Sequence, residues 1–234
     1  MNLIPGPVRR GFETSLGPLV ERLVAWQVSP NALTTVGTTT LVAGAVAFGA
    51  GSVRLGAALL LLSGLFDMLD GRVARATGGT TKFGAFYDSM LDRIGESALF
   101  LGIGVYFLRG GIAPEWRTAA VVIAVVALAG SLLVSYARAR AEGLDLECKV
   151  GIAQRAERIL GLGAPTLFFG AGPDGLLLLT LVSLLAVVAC VTVVQRIVHV
   201  YRISGSAPPP RTTQARRVAP RGLAPYTGKG RRGE

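Results

Sequence analysis

Six apolar runs, near residues 32–50, 55–76, 83–108, 118–141, 157–171 and 175–201, constrain this chain more than any other feature. A helix needs about 20 mainly apolar residues to cross the hydrocarbon of a bilayer, and the run at 157–171 falls short of that. Hydrocarbon offers no water to backbone N–H and C=O groups, so such runs cross it as helices, which satisfy those groups internally. With 51% hydrophobic residues in 234 and a mean hydropathy of +0.53, the chain is too apolar for an ordinary soluble domain. The expected fold class is all-α. It is an integral membrane bundle of six transmembrane helices over 29–203, with an interfacial amphipathic helix in 1–28 and a basic disordered tail at 204–234.

Charge sets the orientation. Six crossings leave both termini on one side, and the connections 51–54, 109–117 and 172–174 on the other are short with few charges. The termini's side carries Arg9, Arg10, Arg72, Arg75, Lys82, Arg138, Arg140, Lys149, Arg155, Arg158, Arg196 and Arg202. Basic residues gather on the cytoplasmic face, so the termini are expected in the cytoplasm, with the plasma membrane as the site. Residues 1–27 hold no apolar core of the signal-peptide kind. Leu16, Leu19, Val20, Leu23 and Val24 share one helical face, which predicts a helix lying in the interface with Trp26 as its anchor. The tail holds seven basic residues and one acid, a net +6 of the chain's +10. It has no core to bury and is expected to adhere to anionic lipid headgroups. Nucleic acid is not an expected partner, because no aromatic residues interleave the basic ones. Cys148 and Cys190 form no CxxC motif and are read as free thiols.

Within this apolar frame one stretch carries the chemistry, FDMLDGRVARATGGTTKFGAFYDSMLDRIGE at 66–96. Asp67, Asp70 and Ala74 fall at i, i+3 and i+7, one helical face, and Gly84, Asp88 and Asp92 at i, i+4 and i+8, another. Gly78-Gly79 breaks the helix between them, so the two stripes can run antiparallel and face each other. A carboxylate near the centre of a membrane helix costs roughly 2.5–3.5 kcal/mol, and four together also repel one another. Bound divalent metal resolves both costs. Oxygen-only ligands suit Mg²⁺ or Mn²⁺, four suit two ions about 3.5–4 Å apart, and the lack of Cys and His argues against zinc. Interfacial pairing with Arg72, Arg75, Lys82 and Arg93 is the plainer alternative.

The string Asp67-x2-Asp70-Gly71-x2-Ala74-Arg75-x8-Gly84-x3-Asp88-x3-Asp92 resembles the full signature of the CDP-alcohol phosphotransferases. The resemblance implies a membrane enzyme, usually a homodimer, that moves a phosphatidyl or similar group from a CDP-linked donor to an alcohol and releases CMP. It implies metal ligation by Asp67, Asp70, Asp88 and Asp92, with Asp92 as general base. Ser29, Pro30, Asn31 and Ala32 open the first span with a helix-start signal. The resemblance adds contact with the cytidine nucleotide to their capping role. Gly71 and Gly84 lack side chains where a nucleotide needs close approach, and tight helix packing explains them as well. Arg75 is expected either to pair with a donor phosphate or to anchor at the interface. Thr81 either contacts the donor, as the resemblance suggests, or caps the next helix.

A second cluster is basic. Ser135, Arg138 and Arg140 end the fourth run, Arg155 and Arg158 follow in the next connection, and Arg196 ends the sixth. Guanidinium forks of this kind bind phosphate, and ordinary cytoplasmic anchoring is the alternative. The cluster resembles that of the actinobacterial-type phosphatidylinositol phosphate synthases, in Ser-Tyr…Ala-Arg-Ala-Glu and Arg-x-Glu-Arg segments. That branch uses CDP-diacylglycerol as donor and inositol phosphate as acceptor. Arg138 stands where it typically has lysine, and Ala156 where it has proline. A synthase of phosphatidylglycerophosphate or of another phosphorylated alcohol is the nearest alternative. A divalent-cation transporter is more distant, since it would spread acids through the membrane depth.

Overall fold

A computed structural model describes residues 16–78, 81–151 and 155–204, with Arg155 and Ala156 described by backbone alone. The first fifteen residues, Gly79, the side chain of Arg155 and the tail beyond Ser204 lie outside the described residues. Within them the fold is all-helical: α1 (Gly17–Ala25), α2 (Pro30–Gly49), α3 (Val53–Ala76), α4 (Lys82–Tyr106), α5 (Arg117–Glu142), α6 (Arg155–Phe169) and α7 (Leu176–Ser204). Helices thus occupy each of the six apolar runs. Three helical stretches, Pro30–Gly49, Pro114–Glu142 and Pro173–Ser204, are long and apolar enough to cross a membrane. The acids and arginines in α3 and α4 dilute their hydropathy, and α6 is only 15 residues long.

Local chemistry sets the helix starts. Ser29 is extended at φ −70°, ψ 140°, its hydroxyl accepts from the N–H of Ala32 at 3.2 Å, and Pro30 opens α2 where a missing N–H costs nothing. Thr81 does the same for α4, accepting from the N–H of Gly84 at 2.9 Å. A π-helical turn, Phe107–Gly111, ends the α4 segment.

Packing makes a ring. α2 packs on α3 and α4, α3 on α6, α6 on α7, α7 on α5, and α5 back on α4. Phe48, Leu60, Ile103, Leu162, Leu178 and Val182 fill much of its interior and are almost wholly buried. Apolar side chains also cover the outside: Val122, Val125, Leu133, Leu184, Val187 and Val194 are exposed. An apolar exterior of that extent matches a membrane protein, whose solvent there is lipid. α1 lies against α3, where Leu16, Val20, Leu23 and Val24 pack on Leu33, Leu69 and Val73, while Trp26 stays 71% exposed. Four of the five stripe residues read from the sequence therefore have protein beneath them, while Leu19 is exposed.

Gly102 fixes the closest approach in the ring. A Cβ there would lie 2.2 Å from the carbonyl oxygen of Ala45 on α2, a backbone atom that no side-chain rotation can move. Gly102→Ala would gain about 1 kcal/mol of helix propensity and lose about 1–3 kcal/mol or more by forcing α2 and α4 apart. The net effect is expected to be destabilising, a fall of several degrees in Tm, read by thermal unfolding of purified protein in detergent.

Candidate active site at the acid-bearing helix ends

α3 and α4 follow one another in sequence, yet both lean mainly on α2. The cleft between their acids therefore has α2 as its third wall: Thr34, Gly37 and Thr38 line it with Ser63, Asp67, Asp70 and Asp92. Asp67, Asp70 and Asp88 each offer a carboxylate oxygen, and these oxygens lie within 4.8 Å of one another. Asp70 is buried, and its Oδ2 accepts a 2.8 Å hydrogen bond from the hydroxyl of Thr34. That hydroxyl also lies 3.1 Å from the carbonyl of Pro30, and having a single proton it serves the carboxylate or the carbonyl, not both. Asp92 sits one turn beyond Asp88 and lines the same cleft, outside the three-carboxylate cluster itself.

These residues fit a hard divalent cation. The donors are all oxygen, three converge, and one is held at a fixed angle by a hydroxyl, the arrangement that orients a metal-binding carboxylate. Three carboxylates this close repel one another strongly without a cation.

Of the expected donor-contacting residues, Asn31, Thr81 and Gly84 come together. The first turns of α2 and α4 meet: a Cβ on Gly84 would lie 3.1 Å from Thr81 Oγ1 and 3.4 Å from Asn31 Oδ1. One turn further, the hydroxyls of Thr35 and Tyr87 are 3.0 Å apart, and the Tyr87 ring stacks on Phe83. Ser29 and Thr81 both act as helix caps, so capping accounts for their side chains in this structure. Gly71 is different. Among the described residues the only atoms near a Cβ placed there are those of the Arg75 guanidinium, the nearest at 3.5 Å, so none of the described helices packs against this glycine.

The basic residues lie on α5, α6 and α7. Arg196 donates to the carbonyls of Val150, at 3.0 Å, and of Val134. Arg138 pairs with Glu142 at 2.8 Å, a half-exposed i, i+4 contact that is weak in water. Ser135 is half-buried, Arg140 is exposed, and Arg155 opens α6. Arg158 reaches Glu96 at 3.1 Å and Ser131 at 2.6 Å. Sequence reasoning did not single out Thr34, Tyr87, Ser131 or Glu96. Glu96 had a legible signal, since it extends the stripe of Asp88 and Asp92 by one more i+4 step.

Comparison with known proteins points the same way. The profile of the CDP-alcohol phosphatidyltransferase family matches residues 27–198. The phosphatidylinositol phosphate synthase of Cutibacterium acnes is 36% identical over 206 residues, covering 83% of this chain and 96% of that protein. The archaetidylinositol phosphate synthase of Methanothermobacter thermautotrophicus is 36% identical over 196 residues, covering 84% and 92%. A crystal structure of the Mycobacterium tuberculosis phosphatidylinositol phosphate synthase with CDP-DAG bound matches at TM-score 0.69 and 34% identity, over 79% of this chain and 92% of that one. The same enzyme in complex with manganese and citrate matches at TM-score 0.69 and 33% identity, over 79% and 88%.

Because Thr34 holds Asp70 in place, Thr34→Val is expected to weaken Mn²⁺ binding by about 10-fold, and Thr34→Ser to restore it. Electron paramagnetic resonance titration of Mn²⁺ into purified protein reads this directly. Unchanged affinity in Thr34→Val would separate the hydroxyl from the metal site.

Proposed function

The chain belongs to the CDP-alcohol phosphatidyltransferase family, and from that premise we propose that it transfers a phosphatidyl group from CDP-diacylglycerol to a hydroxyl of inositol phosphate. The products are phosphatidylinositol phosphate and CMP. The carrying observation is the convergence of Asp67, Asp70 and Asp88 at a cleft that Asp67, Asp70 and Asp92 line with Thr34. The names of its relatives support the acceptor, for the phosphatidyl and the archaetidyl enzymes share an inositol phosphate product and differ in the lipid.

Asp67, Asp70 and Asp88, with Asp92 at the edge of the cleft, would hold Mg²⁺ or Mn²⁺, two ions in the full arrangement. When bound, the cations offset the charge of the donor pyrophosphate and of the departing CMP. The side chains do the rest. Ser29, Pro30, Asn31, Ala32, Thr81 and Gly84 form the wall against which the cytidine nucleotide rests. Gly71 leaves open space at the turn before Arg75, which is exposed and free to meet a donor phosphate. Ser135, Arg138, Arg140, Arg155, Arg158 and Arg196 gather the acceptor's own phosphate. Asp92 takes the proton of the attacking hydroxyl as the new P–O bond forms and the pyrophosphate P–O bond breaks, its electrons leaving with CMP. A metal-bound carboxylate is a weak base, so positioning supplies much of the rate.

The setting belongs to the same proposal. The helices at all six apolar runs cross the plasma membrane as one domain over 29–203, and α1 lies at the cytoplasmic interface, its exposed Trp26 supporting an anchor. The clustering of arginines at the acid-bearing end supports a cytoplasmic active site, where a nucleotide-linked donor is made. The family resemblance supports a homodimer, and the residues from 204 on serve as a basic tail against anionic lipid.

CMP release by purified protein with CDP-diacylglycerol and Mn²⁺ tests the reading. Turnover is expected with inositol 1-phosphate and not with inositol or glycerol 3-phosphate. Turnover with glycerol 3-phosphate instead would keep the reaction and replace the acceptor. Asp92→Asn is expected to keep the fold and to lower kcat by at least about 100-fold, the usual scale of a general base. A fully active variant would remove Asp92 from that role.

A further inference from the structure

The ring of helices encloses a cavity lined by all six of its members, and its walls are apolar except at one point. There Glu96 of α4 meets Arg158 of α6 at 3.1 Å, and the same guanidinium nitrogen donates to Ser131 of α5 at 2.6 Å. α6 packs chiefly on α3 and α7, so this contact reaches across the ring to helices on its far side. Both charged side chains are largely buried, at 18% and 17% exposure.

The register is informative. Glu96 lies one helical turn beyond Asp92, Arg158 one turn beyond Arg155, and Ser131 one turn before Ser135 on α5, which runs the opposite way. The three residues therefore form a layer one turn beneath the proposed catalytic base Asp92 and beneath Ser135 and Arg155, with Arg158 as the acceptor-binding residue that belongs to the layer itself. A buried ion pair among apolar side chains is a poor route to stability, because hydrophobic residues of similar volume do as well or better. It does fix geometry. Arg158 also keeps a donor in reserve, for its Nε is buried and has no hydrogen-bond partner among the described residues.

We propose that Glu96 is a positioning residue for the acceptor half of the site. It holds the Arg158 guanidinium across the ring, and so sets how the first turn of α6 faces the acid stripe of α4. This inference rests on the reading that the acceptor's phosphate is held by the arginines. Glu96 touches neither donor nor metal, and its effect is carried entirely by Arg158.

The test is steady-state kinetics of CMP release on full-length protein in detergent, with CDP-diacylglycerol, Mn²⁺ and inositol 1-phosphate varied in turn. Glu96→Gln is expected to raise the KM for inositol phosphate by about tenfold while the donor KM and kcat stay within about twofold. In the double-mutant cycle, Glu96→Gln added to Arg158→Gln should cost little more, because its only route is already cut. Additive effects, an unchanged acceptor KM, or equal rises in both KM values would overturn the proposal. If Glu96→Gln does not fold, Ser131→Ala is read in the same way, with a smaller rise in acceptor KM expected. Failure of both to fold would make the layer structural and also overturn it. The premise is tested separately on the unmodified protein. Equal turnover of inositol and inositol phosphate would remove phosphate recognition, whereas a strict need for the phosphate with an indifferent Glu96→Gln would sink this inference alone.

Discussion

Mutual repulsion among carboxylates is the constraint to which the rest of this structure answers. Asp67, Asp70 and Asp88 place oxygens within 4.8 Å of one another, at helix ends in a domain whose exterior is apolar. Carboxylates so placed repel one another, and a bound cation offsets that repulsion. The chain nonetheless holds them rigidly: α2 is wedged between α3 and α4, its Thr34 hydroxyl on Asp70, and Gly37 under Phe66 at a distance that leaves no room for a larger residue. Stability is given up locally so that a charged ligand can restore it, the usual sign of a site made for binding.

Much of this was legible in the sequence. The acids announce themselves because helical periodicity is local: i, i+3 and i+4 steps place Asp67 with Asp70 and Asp88 with Asp92 whatever the rest of the chain does. The apolar runs were equally plain, and a helix occupies each. What one-dimensional spacing cannot supply is which helices become neighbours. Consecutive α3 and α4 meet chiefly through α2, so Thr34, which reads in the sequence as one more threonine of an apolar run, becomes the partner of Asp70. The Glu96–Arg158 contact spans 62 positions and joins two helices that are not adjacent in the ring. The stripe of α1 was legible as apolar, yet its occupant was not: Leu33, Leu69 and Val73 lie beneath it. Capping by Ser29 and Thr81 was one of two readings each and is the one the hydrogen bonds display.

The arginines show how a single residue type divides its labour by burial. Arg138 lies half-exposed against Glu142, where water screens the pair and either partner can let go at little cost. Arg196 donates to main-chain carbonyls of Val134 and Val150, tying the end of α5 and the connection after it to α7. A neutral carbonyl competes weakly with a phosphate for a guanidinium, since the phosphate brings full negative charge and can be met by both arms of the fork. Arg158 faces a full carboxylate away from bulk water, and that bond holds its guanidinium in one place.

Those differences order the cluster by depth. Arg138 and Arg140 are exposed, where under the proposed function their charge would draw in the acceptor without fixing it, the role long-range attraction plays at charged clefts. Arg196 is part-buried and held by two carbonyls, which under the proposed function it would partly exchange for phosphate oxygens. Deepest, Arg158 is locked to Glu96 and Ser131 and contributes direction more than mobile charge. A phosphorylated acceptor moving down this series would trade mobile partners for fixed ones as its hydroxyl nears Asp92, losing orientational freedom before the reacting atoms meet. That order matters because an in-line attack on phosphorus depends on geometry more than on binding strength. A site that gripped the phosphate tightly at its mouth would bind well and react poorly, since affinity spent there acts equally on ground and transition states.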